Sequence, residues 1–296
     1  MRPGTVMFRA NLALHPYGYR LGPDPASSGV ATVGGVIANN ASGMCCGTVE
    51  NSYKTLESVS FLLPSGTRIN TSDPDAERQF ALAEPDLAAG LLAIKQEMVT
   101  DEKLVERLKK KFSIKNTTGY HMGAFLDASS PLGIFRKLLV GSEGTLAFIS
   151  EAVFATVPDN QYRLTAFLVF SDMHSACAAV APFVAHGAAA VELSDRGCLR
   201  AVEGKPGVPD RWKILPNEAT ALLVEFREPS REKLEKGGPC GTVRAGRPEA
   251  SGKGRIYHRP HARGSLLDDP ERIATLDWGG ANERHIAHPG RRLLPS

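Results

Sequence analysis

Small residues crowd two stretches of this chain, PDPASSGVATVGGVIANNASGMCCGT from Pro23 to Thr48 and GSEGTLAFISEA from Gly141 to Ala152. Residues without a branched Cβ let the main chain come within hydrogen-bonding distance of a flat or phosphorylated ligand, and glycine also reaches positive φ at no steric cost. The same composition serves tight turns around a packed core. Spacing excludes two phosphate-binding loops, because neither G-x-x-x-x-G-K-[ST] nor a strand-to-helix G-x-G-x-x-G occurs. A large cofactor laid against backbone is the reading that accounts for both stretches.

The intervening sequence gives two folded units. In the first, Ala31 to Ala38 reads as a short strand or turn, and Leu56 to Leu63 as a strand that Pro64-Ser65-Gly66 turns into Thr67 to Asn70. Pro85 and Asp86 open a helix whose apolar residues, Leu87, Leu91, Leu92, Ile94 and Met98, recur at helical spacing. A second helix follows from Asp101 to Phe112, with Lys109 to Lys111 in its last turn, where the macrodipole favours cations. Ile134 to Val140 and LAFISEAVFATV read as strands flanking the GSEGT turn. The second unit alternates strand and helix. Arg163 to Phe170 is a strand, Asp172 caps an alanine-rich helix ending near His186 and Gly187, and Ala189 to Leu193 is a strand. A short helix over 195–202, a strand over Thr220 to Phe226 and a helix from Pro229 to Lys236 complete the order. The fold class expected is α+β.

No run of eighteen apolar residues and no secretory leader is present, so the expected location is cytoplasmic, with a peripheral station at the inner face of the membrane as the other placement. Cys45, Cys46, Cys177, Cys198 and Cys240 form no C-x-x-C pair, which fits reduced thiols.

Four blocks together resemble the FAD-linked oxidases of the vanillyl-alcohol oxidase type, closest to the large D-lactate and D-2-hydroxyglutarate dehydrogenase branch. They are GPDPAS (22–27), ATVGGVIANNASGMCCGT (31–48), KNTTGY (115–120) and LLVGSEGTLAFISEA (138–152). The resemblance runs from about Arg2 to Lys236. It implies a partial PCMH-type FAD-binding domain over 1–160, followed by an incomplete ferredoxin-like cap over 161–236. FAD is the implied cofactor. It would lie against Pro23, Asp24, Pro25 and Ser27, against Thr32, Gly34, Gly35, Asn39, Asn40, Ser42 and Gly43, and against Gly141, Glu143, Gly144, Thr145 and Ile149. Asn39, Asn40 and Ser42 can donate to flavin or phosphate oxygens, and can equally stabilise turns. The implied reaction is hydride transfer from the α-carbon of a small 2-hydroxy acid to the flavin, with a quinone or a protein as electron acceptor. Lys115 and Thr118 are the local choices for the substrate carboxylate, with Lys137 a third. The family's glycine-rich R-G-x-G-T-S loop and its catalytic histidine and metal ligands have no counterpart in the matched residues. No catalytic base and no metal are therefore assigned, and activity is expected to be impaired unless a complementary chain completes the site. The other reading is a non-enzymatic fragment.

Residues 237–296 differ in kind. They carry ten Lys/Arg against six Asp/Glu, which leaves residues 1–236 near neutrality in a chain of net charge +3. Arginine, glycine and histidine without periodic apolar residues suggest a frameshifted segment that buries little core. A nucleic-acid arm is not expected, because Tyr257 and Trp278 are its only aromatics and the charge is mild. The pairs His258/His261 and His285/His288 have a spacing that could suit a metal, yet lack fixed partner ligands.

Overall fold

The computed structural model describes residues 1–206, 208, 210–237, 252–259 and 273–278. The chain divides into two compact units, Met1–Asp159 and Asn160–Ser296. Mixed helices and antiparallel strands make the fold α+β.

The first unit opens with helix α1 (Met7–Leu14) and strand β1 (Tyr19–Leu21). Two short helices follow, α2 (Val33–Ala38) and α3 (Ser52–Thr55), and then the hairpin of β2 (Leu56–Leu62) and β3 (Arg68–Asn70). A helical layer comes next, comprising α4 (Ala76–Ala83), α5 (Pro85–Thr100), α6 (Glu102–Phe112), α7 (Ala124–Asp127) and α8 (Pro131–Leu139). Strands β4 (Phe148–Phe154) and β5 (Thr156–Pro158) close the unit. β4 returns to pair antiparallel with β2, giving the order β3-β2-β4, and β5 pairs with β1. Phe61, Phe80 and Phe135 meet at ring-centroid distances of 5.1–6.5 Å and join the sheet to α4 and α8 in one hydrophobic core.

Two segments of this unit differ from the sequence expectation. Residues 33–38 are helical rather than extended. Thr32 caps them by accepting from the Gly35 N–H at 3.4 Å, and Val33, Val36 and Ile37 are buried at helical spacing. The glycine pair masks this pattern in the sequence. Residues 131–139 are likewise a helix. Ser130 caps it through the Gly133 N–H, Pro131 occupies the first turn, and Leu132, Ile134, Phe135, Leu138 and Leu139 are buried. The second glycine turn is therefore entered from a helix and left by a strand.

The second unit is an antiparallel sheet with helices. It comprises β6 (Tyr162–Phe170), α9 (Met173–Ala185), β7 (Ala190–Ser194), α10 (Arg196–Val202), β8 (Thr220–Glu228), α11 (Arg231–Gly237), β9 (Gly252–Arg259) and β10 (Ile273–Trp278). The strand order is β10-β9-β6-β8-β7. Asp172 caps α9 by accepting from the Ser175 N–H at 2.8 Å, and His186 at its end meets the Pro182 carbonyl at 2.7 Å. Ala176, Ala179 and Phe183 of α9 and Leu234 of α11 pack with Leu164, Leu168, Leu222, Val224 and Phe226 of the sheet.

β9 and β10 fall within the stretch whose sequence lacks apolar periodicity. β9 pairs with β6 from Arg163↔Arg259 to Leu168↔Gly254. Main-chain hydrogen bonding to an open strand edge needs no side-chain pattern, which is why composition alone did not indicate these strands. His258 lies on β9, whereas Cys240, His261, His285 and His288 lie outside the described residues.

Among the described residues, no helix is long and apolar enough to cross a membrane, and no group of three or more His, Cys, Asp or Glu side chains is placed to hold a metal.

Candidate functional site

The four sequence blocks, separated by up to 130 positions, come together in the first unit. Asp24 of the first block anchors the end of the second. One carboxylate oxygen accepts from the Gly43 and Cys46 N–H groups at 3.0 and 3.1 Å, and the other from the Cys45 N–H at 3.1 Å. The loop after α2 is thereby wound around a single charged side chain.

The second and fourth blocks join directly. The Gly141 N–H donates to the Ile37 carbonyl at 3.0 Å and the Glu143 N–H to the Ala38 carbonyl at 2.9 Å. This contact demands an unusual backbone, with Gly141, Glu143 and Gly144 all left-handed at φ 83°, 54° and 73°. Opposite them Asn40, φ 44°, is buried, and its side-chain oxygen accepts from the Tyr53 N–H at 3.3 Å. The third block reaches both neighbours. Lys115 Nζ donates to the Ser42 carbonyl at 3.1 Å, and the Tyr120 hydroxyl lies 2.7 Å from Thr145 Oγ1.

The glycines divide into two classes. A Cβ on Gly43 would stand 1.9 Å from the Asp24 carbonyl oxygen, and one on Gly34 would stand 2.8 Å from Pro3 Cβ. Internal packing alone accounts for both. Gly35 meets only Thr32 Oγ1 at 3.5 Å and Gly144 meets nothing within 4 Å, so at these positions the backbone lies open.

The remaining expected site residues are spread around this centre. Pro23 and Pro25 are buried, Ile149 is buried on β4 opposite Phe61, and Thr32 caps α2. Ser27 and Asn39 are exposed, and Asn39 forms the C-cap of α2. Thr118 is exposed, with its N–H on Asn116 Oδ1 at 3.1 Å. Lys137 places its ammonium 4.5 Å from the centroid of the Tyr53 ring, and burial lowers its pKa from the ordinary lysine value.

Beside this centre is a cavity of about 300 Å³ whose lining includes Asn40, Ser42 and Lys115 together with residues the sequence did not single out. One wall is a column of rings. Tyr53 and His121 stack at 3.7 Å, and His121 and Phe112 at 3.9 Å. The Tyr53 hydroxyl donates to Asp127 Oδ2 at 3.0 Å, and burial followed by that carboxylate raises its pKa beyond the usual phenol range. Burial pushes the His121 imidazole down to about 4, so it is neutral at pH 7. No motif connects residues 53, 112, 121 and 127; α3, α6, α7 and the loop carrying His121 bring them together, and that is why they were missed.

The FAD implied by the resemblance can be tested against these residues. Ser142 Oγ is buried in the left-handed turn with no hydrogen-bond partner, an arrangement that leaves a hydroxyl waiting for an acceptor or donor. With the open main chain at Gly35 and Gly144, this fits a large polar cofactor laid on backbone.

A sequence profile of the FAD binding domain matches residues 1–72, and one of the C-terminal domain of FAD linked oxidases matches residues 159–237. The D-2-hydroxyglutarate dehydrogenase of Pseudomonas putida is 26% identical over 201 residues, covering 67% of this chain and 20% of that protein. The protein of the same name from Escherichia coli K12 is 29% identical over 152 residues, covering 50% of this chain and 15% of the relative. The chain thus spans at most about a fifth of the length of these relatives. A structure of alkyldihydroxyacetonephosphate synthase, solved in P1, is similar in fold, with a TM-score of 0.52 at 14% identity, covering 82% of this chain and 37% of that one.

Proposed function

The chain belongs to the FAD-linked oxidase family, whose two matched domains indicate FAD as cofactor, and from that premise we propose that this oxidoreductase acts on a small 2-hydroxy acid. The observation that carries the reading is the linking of blocks 22–27, 31–48, 115–120 and 138–152 into one assembly, the second block joining the first and the third to a left-handed turn with a buried, unpartnered hydroxyl. When bound, FAD supplies a two-electron acceptor for the hydrogen on the α-carbon of the acid. The chain's own part is positioning. Lys115, tethered to the Ser42 carbonyl, brings a cation to the edge of the second block, where a substrate carboxylate can be held. Thr118 is a polar residue of the same block, and Lys137 supplies a positive charge over the Tyr53 ring. The free thiols of Cys46, Cys177 and Cys198 support a cytoplasmic station. The electrons would pass on to a quinone or a protein acceptor.

The test is anaerobic addition of D-2-hydroxyglutarate, and separately D-lactate, to FAD-loaded protein while the flavin absorption is followed. Bleaching with either acid supports the reading, at a rate expected to be low for this chain alone. Retained colour on bound flavin would contradict acid oxidation, and would favour a subunit that completes its site with a complementary chain.

A further inference from the structure

Helix α6 turns a cationic stripe to solvent. Leu108 is buried, and Leu104 and Phe112 pack against the core, which fixes the opposite face as the outward one. Lys103, Arg107 and Lys110 recur about one turn apart along that outward face, and Lys111 extends it. All four are exposed, and none forms an ion pair among the described residues. Glu102 and Glu106 stand to one side of the stripe and leave it a surplus of cations. The macrodipole accounts for lysines in the last turn, yet it disfavours Lys103 in the first. Past the helix end the stripe meets aliphatic side chains in the open. Ile114 is 69% exposed. Lys115 Nζ donates to the Ser42 carbonyl, which brings the loop after α2 alongside, and on that loop Met44 and Val49 are 46% and 77% exposed.

We propose that this face of α6, with Ile114, Met44 and Val49, is the surface by which the protein adsorbs to an anionic lipid bilayer. Cations drawn to headgroups and a few aliphatic tips at the headgroup boundary are the two signals that reversible adsorption takes. Because the apolar face of α6 stays in the core, the helix lies on the headgroups and only the aliphatic tips enter. Lysine dominates the stripe, and a flexible point charge suits a diffuse lipid surface, whereas arginine's planar fork suits a bidentate grip on one phosphate or carboxylate. The aliphatic side chains have a use against hydrocarbon and none against a nucleic-acid backbone. The contact is made by protein alone and does not rest on flavin occupancy or on hydroxy-acid oxidation.

The full chain, without added FAD, is mixed with vesicles of phosphatidylglycerol and phosphatidylcholine in equal parts, or of phosphatidylcholine alone, and the bound fraction is read by co-sedimentation. Binding to the anionic vesicles, little to the neutral ones, and release by sodium chloride are expected. Each headgroup-facing cation contributes about fivefold, so the double variant Lys110→Gln/Lys111→Gln should weaken binding about twentyfold. Ile114→Ser should weaken it about fivefold by removing an apolar tip. Lys233→Gln removes an exposed charge from α11 in the second unit and should leave binding unchanged. Unchanged urea midpoints show that the variants are folded. No binding, equal binding to both kinds of vesicle, as large a loss in Lys233→Gln as in the double variant, or insensitivity to Ile114→Ser would overturn the surface. A chain that ignores both vesicles yet binds polyglutamate or duplex DNA would replace the bilayer with an acidic protein or a nucleic acid. FAD retention measured on the same sample keeps these outcomes separate from failure of the cradle.

Discussion

Asp24 commits both carboxylate oxygens to three amides of one loop, a charge-assisted arrangement that leaves several donors unpaired if the charge is removed. Asp24→Asn is expected to destabilise the protein by about 1–3 kcal/mol, read as a lower urea midpoint at unchanged m-value. The two classes of glycine make an opposed pair of predictions. Gly43→Ala should cost about 1–3 kcal/mol through overpacking against the Asp24 carbonyl. Gly35→Ala should leave the apoprotein as stable or slightly more so, because its Cβ has room in a helix, and should still weaken FAD binding if the cofactor lies there. His121 gives a pH signature. Its folded pKa of about 4 lies below the unfolded value near 6.5, so the unfolded chain binds the proton more readily. Stability is then full above pH 6.5 and is lost as pH falls towards 4, and His121→Phe should remove that part of the acid sensitivity in thermal melts. The turns at 39–48 and 141–145 were legible because runs of glycine, asparagine and serine mark them in the local sequence. Tyr53, Phe112, His121 and Asp127 carry no such local mark, since a ring stack formed by two helices and a loop leaves no spacing in the sequence.

At the scale of elements, the long amphipathic helices and the β2–β3 hairpin were legible because each carries its own period and its own turn or cap. α5, α6, α9 and β8 arise where apolar spacing, an acidic first turn or an aspartate cap directs them. α2 was read as a strand or turn and α8 as a strand. Both are short, and tertiary hydrogen bonds complete them. The Val33 and Gly34 N–H groups donate to the Thr5 and Pro3 carbonyls, so a neighbouring segment supplies acceptors that sequence periodicity cannot reveal. The turn leaving α8 yields a further prediction. Ser142→Ala removes a buried hydroxyl that has no partner, so the apoprotein should keep its stability within about 0.5 kcal/mol, while FAD affinity should fall. Parallel thermal melts and flavin fluorescence titrations check the two halves separately.

At the scale of the whole molecule, each unit carries its own hydrophobic core, one built around Phe61, Phe80 and Phe135 and the other around Leu222, Val224 and Phe226. All four sequence blocks and the cavity belong to the first unit, and the structure accordingly predicts that residues 1–159 unfold cooperatively when expressed alone, checked by circular dichroism in urea. The central claim is that these blocks form a cradle able to retain FAD. The most direct measurement is the visible absorption spectrum of the purified chain after incubation with FAD and desalting. Flavin bands at near-stoichiometric amount, reduced by Gly35→Ala and Ser142→Ala, are the predicted result; a well-folded but colourless protein would contradict it.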